Sequence, residues 1–169
     1  MQDLPLESAI SEFAPGQFEL TLRHKPDALR ACDDAIMYKR LVKAIAQAQG
    51  LEATFMAKPF ADQAGSGMHI HVSVNDGSDA NIFASDDPEG TPALRHAIGG
   101  MIGSVGDAFA LFAPHANSYR RFKANSYAPV APTWGVNNRT VSFRVTAGAP
   151  ATRHVEHRIC GADANPYAV

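Results

Sequence analysis

Cysteine is scarce. Cys32 and Cys160 are the two in 169 residues, far apart and in no Cys-x-x-Cys pair. This excludes a disulfide framework; two unpaired thiols fit a reducing cytoplasm, with packing as their role. Charge of one sign is missing as well. Lys and Arg number 15 against 17 Asp and Glu, for a formal net charge of −2, and there is no basic run. Nothing therefore marks a nucleic-acid surface. No apolar run approaches membrane-spanning length, and the first thirty residues carry acids in place of a signal-peptide pattern, so no membrane partner is expected. Internal repeats and low-complexity tracts are absent. So is a Walker-type Gly-x-x-x-x-Gly-Lys-Ser/Thr loop, and any nucleotide phosphates would be held by other means.

What is present is a chain with 46% apolar and 19% charged residues, long enough to bury a core and read as one domain over residues 1–169. It is organised around Gly65-Ser66-Gly67-Met68-His69-Ile70-His71-Val72-Ser73. Two glycines free the backbone for close approach, and strict alternation follows. Met68, Ile70, Val72 and Val74 fall on one strand face, with His69, His71 and Ser73 on the other. Alone, this pattern leaves three readings open: a solvated surface strand, a zinc hydrolase built on His-x-His, and a cleft of another chemistry.

Residues 1–16 read as loop, with Glu12 in a short extended stretch, Ile10–Phe13. Gln17–Arg23 alternates as a strand that puts Glu19 on its polar face. Pro26 and Asp27 read as the first turn of a helix that Gly50 caps, and its stripe of Met37, Leu41, Ile45 and Ala48 is assigned to the core. Leu51–Met56 reads as a strand, and Asn75–Gly90 as an exposed loop. Thr91 caps and Pro92 opens a second helix, striped with Leu94, Ile98, Met101, Val105, Ala108, Phe109 and Phe112. Its Gly99, Gly100, Gly103 and Gly106 imply close approach to a neighbouring element. Residues 113–138 read as a long irregular loop with two adjacent arginines. Arg139–Val145 and His154–Cys160 read as strands, Glu156 and Arg158 sharing one face. Asp163–Tyr167 starts a helix that Val169 cuts short, as in a part of a longer protein.

Three carboxylates, Glu12, Glu19 and Glu156, and one imidazole, His69, suit a hard cation such as Mg²⁺ or Mn²⁺ better than zinc. Arg121, Arg139, Arg144 and Arg158 are permanently charged donors matched to carboxylate and phosphate oxygens. Together they point to phosphoryl chemistry on a nucleotide with an anionic second substrate.

Several segments resemble the glutamine synthetase family, in the family's order. Ser11–Glu19 (SEFAPGQFE) resembles H-E-x-(x)-P-G-Q-x-E, and Ala53–Pro59 resembles A-T-F-M-P-K-P. Gly65–Ser73 matches G-S-G-M-H-x-H-x-S, Asn117–Arg121 matches N-S-Y-[KR]-R, and Asn138–Thr140 matches N-R-[ST]. Val155–Arg158 and Ala164–Tyr167 match [IV]-E-x-R and A-N-P-Y.

The resemblance implies an α+β fold: a strongly curved antiparallel sheet, two helices on its convex side, and a site on the concave polar face. That curved sheet should contain at least four of the five candidate strands, paired. It implies ATP-dependent phosphorylation of the glutamate γ-carboxylate, then displacement of phosphate by an amine. Glu12 and Glu19 would bind one Mg²⁺ or Mn²⁺, and His69 and Glu156 a second. His71 and Ser73 would lie along ATP, Arg139 and Arg144 would hold its phosphates, and Gly65, Arg121 and Arg158 would receive glutamate. Arg139, five residues from Arg144, is expected in the loop before the strand.

The family's amino-terminal β-grasp domain, its early E-x-E strand and its carboxy-terminal helical part have no counterpart here. The expectation is a central fragment, inactive alone, of a ring-forming cytoplasmic enzyme, with exposed sheet edges and apolar patches. Where ammonia-using members carry G-Y-E-A-P-V, this chain has Asn125-Ser126-Tyr127-Ala128-Pro129-Val130, with Tyr127 in the glutamate's place and Ala64 where those members have asparagine. This resembles the γ-glutamylpolyamine synthetase branch and implies an alkylamine or polyamine acceptor. A glutamate–ammonia ligase and a non-catalytic nucleotide-binding module of the same fold are the alternatives.

Overall fold

The computed structural model describes residues 4–169; the start of the expected amino-terminal loop, residues 1–3, lies outside them. Strands β1 (Leu6–Ser11) and β2 (Phe18–Leu22) form an antiparallel hairpin. Helix α1 spans Ala28–Ala48. Strand β3 (Ile70–Val72) precedes helix α2 (Pro92–Phe112) and a one-turn helix α3 (Ala116–Tyr119). Strands β4 (Trp134–Val136), β5 (Phe143–Val145) and β6 (Val155–His157) complete the chain.

The helix ends follow from local chemistry. The Asp27 carboxylate accepts the Leu29 and Arg30 amides. At the other end Gly50 turns at φ 71°, so that the Leu51 and Gly50 amides reach the Ala46 and Gln47 carbonyls. The Thr91 hydroxyl accepts the Leu94 amide, and Pro92 occupies the first turn.

The core lies between α2 and the four-stranded sheet. Leu94, Ile98, Val105 and Phe112 of the helix meet Phe143, Val145, Val155 and Ile159. Each such fully buried side chain contributes about 1.5–3 kcal/mol, which holds four glycines inside α2 despite their low propensity.

The fold is α+β and Arg139 lies in a turn before β5, but only three of the five candidate strands, β3, β5 and β6, share a sheet, because β2 pairs with β1 instead. Several expectations are corrected. There are two sheets, β1-β2 and β3-β6-β5-β4; β4 and β5 run parallel; and the sheet is not strongly curved. Strands of three residues are too short to curl a sheet, and side-chain alternation carries no information on partner direction. Residues 1–16, read as loop, contain β1. Leu51–Met56 is not a strand: the Met56 amide turns back to the Thr54 hydroxyl at 3.2 Å, and no strand pairs with the segment. Asp163–Tyr167 forms turns, not a helix.

Helix α1 has no buried residue; Lys39 to the Ala164 carbonyl (3.1 Å) and Tyr38 against Phe55 are among its ties. Its apolar stripe is therefore not core here. The α2 glycines face open space, since a Cβ on Gly99, Gly100, Gly103 or Gly106 would meet nothing within 4 Å. Val72 and Val74 are exposed, as are Phe13, Phe18 and Leu51. No helix among the described residues is long and apolar enough to cross a membrane.

Candidate active site

Ladder register builds the site. Across β3, β6 and β5, His71 stands opposite Glu156 and Glu156 opposite Arg144, all on the polar face. One residue along, Ile70, His157 and Phe143 form the matching row on the core face. Two positions beyond Glu156, Arg158 extends the polar row toward His69.

Glu156 is the hub, only 3% exposed. Its Oε1 accepts Arg158 Nη1 at 2.5 Å and lies 3.1 Å from His69 Nδ1. Its Oε2 accepts Arg144 Nη1 at 2.9 Å, and Arg144 Nη2 donates to Asn137 Oδ1 at 3.1 Å. Burial alone would raise this carboxyl, but the His69 hydrogen bond and the two guanidiniums outweigh it and hold it at about 2. Burial pushes the His69 imidazole down, against the pull of its Glu156 partner. The protein packed around the His71 ring, and His154 and His69 beside it, push its imidazole down to about 4, although the residue keeps a solvent-exposed edge.

Behind this face, Arg121 donates to the Ile159 carbonyl at 2.6 Å and to the Arg158 carbonyl at 3.0 Å. Burial lowers it to about 10, so it stays charged at neutral pH. The glycines of the Gly65–Gly67 turn are required for space. A Cβ on Gly65 would come 2.8 Å from the Ala57 carbonyl and 2.9 Å from Arg121 Cγ; one on Gly67 would come 2.7 Å from Arg121 Nη2.

The hairpin is tied in by Gln17, whose amide donates to the Gly65 carbonyl at 3.0 Å and to Ser66 Oγ at 3.2 Å. Glu12 follows β1, and Glu19 lies in β2. Burial raises the Glu19 carboxyl, and a hydrogen bond with Glu12 raises it further, while Arg139 acts in the opposite direction. Two carboxyls that meet this way, with a guanidinium near, are a donor set that fits a hard divalent cation. His69 and Glu156 do not present such a set as they stand, because arginines and histidine already take both Glu156 oxygens. Among the described residues, no cluster of three or more His, Cys, Asp or Glu is arranged for a metal.

Two predicted residues stand apart from this network. Ser73 is exposed just past β3. Tyr127 is 62% exposed, with φ at 57°, on a loop whose Ala128 and Pro129 are buried. A bulky residue in the left-handed region is strained. The sequence reading overlooked Asn137, Gln17 and His154. His154 was within reach, for it shares the parity of Glu156 and Arg158 on one strand.

On the core face His157 sits edge-on to the Phe112 and Phe143 rings, 4.7 and 5.1 Å between centroids. Burial pushes it down to about 4, against about 6.5 in an unfolded chain. The folded state thus favours the neutral ring. Its contribution is fully present above about pH 6.5 and is lost as pH falls from there through about 4. Urea titrations should show about 3 kcal/mol less stability at pH 4 than at pH 7 from this group, and His157→Gln should flatten that slope. An unchanged slope in the variant would assign the loss to other groups.

The family profile described as "Glutamine synthetase, catalytic domain" matches residues 1–169. The chain belongs to this family. It is 46% identical over 169 residues to gamma-glutamylputrescine synthetase PuuA of Escherichia coli (strain K12), covering 100% of this chain and 36% of that protein. It is 42% identical to glutamate–isopropylamine ligase of Pseudomonas sp., covering 97% of this chain and 36% of that protein. Solved structures of GmaS superpose on it, without ligand at TM-score 0.85 and 35% identity, covering 98% of this chain and 38% of that one. The GmaS/ADP complex does so at TM-score 0.82 and 34% identity, covering 97% and 39%. The chain thus spans little more than a third of the length of the curated relatives it matches.

Proposed function

We propose that this chain carries part of the active site of an ATP-dependent ligase that joins the γ-carboxylate of glutamate to an amine. The observation that carries the reading is the identity, over nearly the whole chain, to two proteins whose names specify glutamyl transfer to alkylamines. The polar face supplies the matching chemistry.

In the first step a γ-carboxylate oxygen attacks the terminal phosphorus of ATP, the bridging P–O bond breaks, and ADP leaves. In the second the amine nitrogen attacks the acyl carbon, the C–O bond to phosphate breaks, and the ammonium proton passes to solvent or a base. Both steps spread negative charge over oxygens, which fixed cationic donors stabilise in place.

Arg144, pinned between Glu156 and Asn137, and Arg139, on its turn opposite Glu19, hold the transferring phosphoryl group. His71 and Ser73 lie along the nucleotide. Arg158 and Arg121, with Gly65 leaving room, receive the glutamate carboxylates. Glu12 and Glu19 would hold one Mg²⁺, or Mn²⁺ in its place. His69 and Glu156 would be the ligands of a second, for which Glu156 would have to give up its arginine partners. Such cations would supply charge neutralisation at the phosphates. Tyr127 borders the acceptor, an alkylamine or polyamine. In this reading residues 1–169 act as one domain of a longer, ring-forming cytoplasmic protein.

The test is phosphate release by the full-length protein. Turnover should require glutamate, an amine and Mg²⁺ together, and Arg139→Ala, at an exposed turn, should lower kcat by about 100-fold or more. ATP cleavage that ignores glutamate, or nucleotide binding without any turnover across a panel of amines, overturns the reading.

A further inference from the structure

We propose that the facing imidazoles of His71 and His154 form a binding site for a borderline first-row cation, with Zn²⁺ as the ion it takes. The inference stands on the geometry of the pair and does not depend on the ligase reading. His71 lies in β3 and His154 immediately precedes β6, so neighbouring strands bring the rings together. His71 Nδ1 and His154 Nε2 are 2.9 Å apart, a contact that two protonated nitrogens cannot make.

The proton positions follow from the neighbours. His154 Nδ1 is 2.8 Å from the Thr152 carbonyl oxygen, which can only accept. Nδ1 therefore carries the proton, and Nε2 turns its lone pair toward His71. The Thr146 hydroxyl stands 3.1 Å from the same Nε2. A backbone carbonyl that fixes the far nitrogen of an imidazole is the outer-shell support used by ligating histidines.

The spacing is close to what zinc needs. Two imidazoles on one tetrahedral zinc, with Zn–N bonds of about 2.0–2.1 Å, hold their ring centroids about 5.2 Å and their ligating nitrogens about 3.3 Å apart. Here the centroids are 5.0 Å apart and the facing nitrogens 2.9 Å, so the nitrogens must part by a few tenths of an ångström. Binding needs the rings to tilt so that both lone pairs converge, and His71 to carry its proton on Nε2 in place of Nδ1. His71 is exposed, so solvent can exchange that proton and complete the coordination. Nitrogen donors select zinc, nickel or copper over magnesium. In donor chemistry the pair is thus distinct from the Glu12–Glu19 carboxylates.

The experiment is calorimetric titration of the full-length protein with Zn²⁺ in excess Mg²⁺, alongside imidazole ¹⁵N spectra of the same samples. One zinc per chain is expected. His154→Ala and His154→Asn should each weaken it by about tenfold or more, His69→Ala should leave it unchanged, and the His71 and His154 rings should be those that shift. Zinc binding that survives both His154 variants, spectra in which the His69 ring or neither of the pair responds, or full displacement by Mg²⁺ overturns the proposal. The wild-type spectra decide the matter even where a variant fails to fold.

Discussion

Glu156→Leu is expected to cost about 3–5 kcal/mol of stability, the range for removing one partner of a buried ion cluster. The carboxylate is 3% exposed and is held by Arg158 and Arg144. Removing it leaves the Arg158 guanidinium, itself 3% exposed, without its counter-charge. Arg158 Nε already has no hydrogen-bond partner, so little is left to compensate. The double variant with Arg158→Met should recover much of the loss, because the penalty lies in the unpaired charge and not in the missing bond.

The same cluster fixes a pH window. The Glu156 carboxyl is held at about 2 in the fold, below its unfolded value of about 4.3. Its contribution is present above the unfolded value and is lost as pH falls from there toward about 2. That window lies below the one set by His157. Urea midpoints for the two single variants and the double variant check both statements. A Glu156→Leu loss under 1 kcal/mol would mean that the cluster is not the organising element of the face.

How much of this could be read from the chain depended on whether the signal was local. Asp27, Gly50 and Thr91 mark helix ends through hydrogen bonds to their own neighbours, Pro92 through its fixed φ and missing N–H, and both long helices fall where they predict. Parity within a strand was equally legible: Glu156 and Arg158 share the polar face while Val155, His157 and Ile159 face the core. Long-range pairing was not. Leu51–Met56 has a strand's composition, but no strand of the fold lies alongside to pair with it. Nor could alternation show that β4 runs parallel to β5, or that α1 would lack buried residues.

At the site, the convergence of His69, Glu156, Arg144 and Arg158 was foreseeable from motifs. Their mutual neutralisation was not, since it depends on which oxygen each guanidinium reaches. His154 was missed although its parity with Glu156 was plain, because it stands outside every motif that carried the resemblance.

Tyr127→Glu is expected to move acceptor preference toward ammonium, raising kcat/KM for ammonium and lowering it for putrescine by about tenfold each, or more than 2 kcal/mol of combined discrimination. The phenol offers an aromatic face to an alkyl chain or a larger ammonium group. A carboxylate in its place gives a small cation an anionic anchor. The left-handed backbone at Tyr127, φ 57°, holds the ring out from the loop, 62% exposed. Tyr127→Phe keeps the face and should retain putrescine use, which separates an aromatic contact from a hydroxyl role. Equal changes with both amines in Tyr127→Glu would reduce the residue to loop structure.

The most direct measurement is phosphate release by the full-length protein with glutamate and MgATP, comparing ammonium, short alkylamines and putrescine. The account predicts the highest kcat/KM with an alkylamine or putrescine, by about 100-fold over ammonium. The highest kcat/KM with ammonium would contradict it.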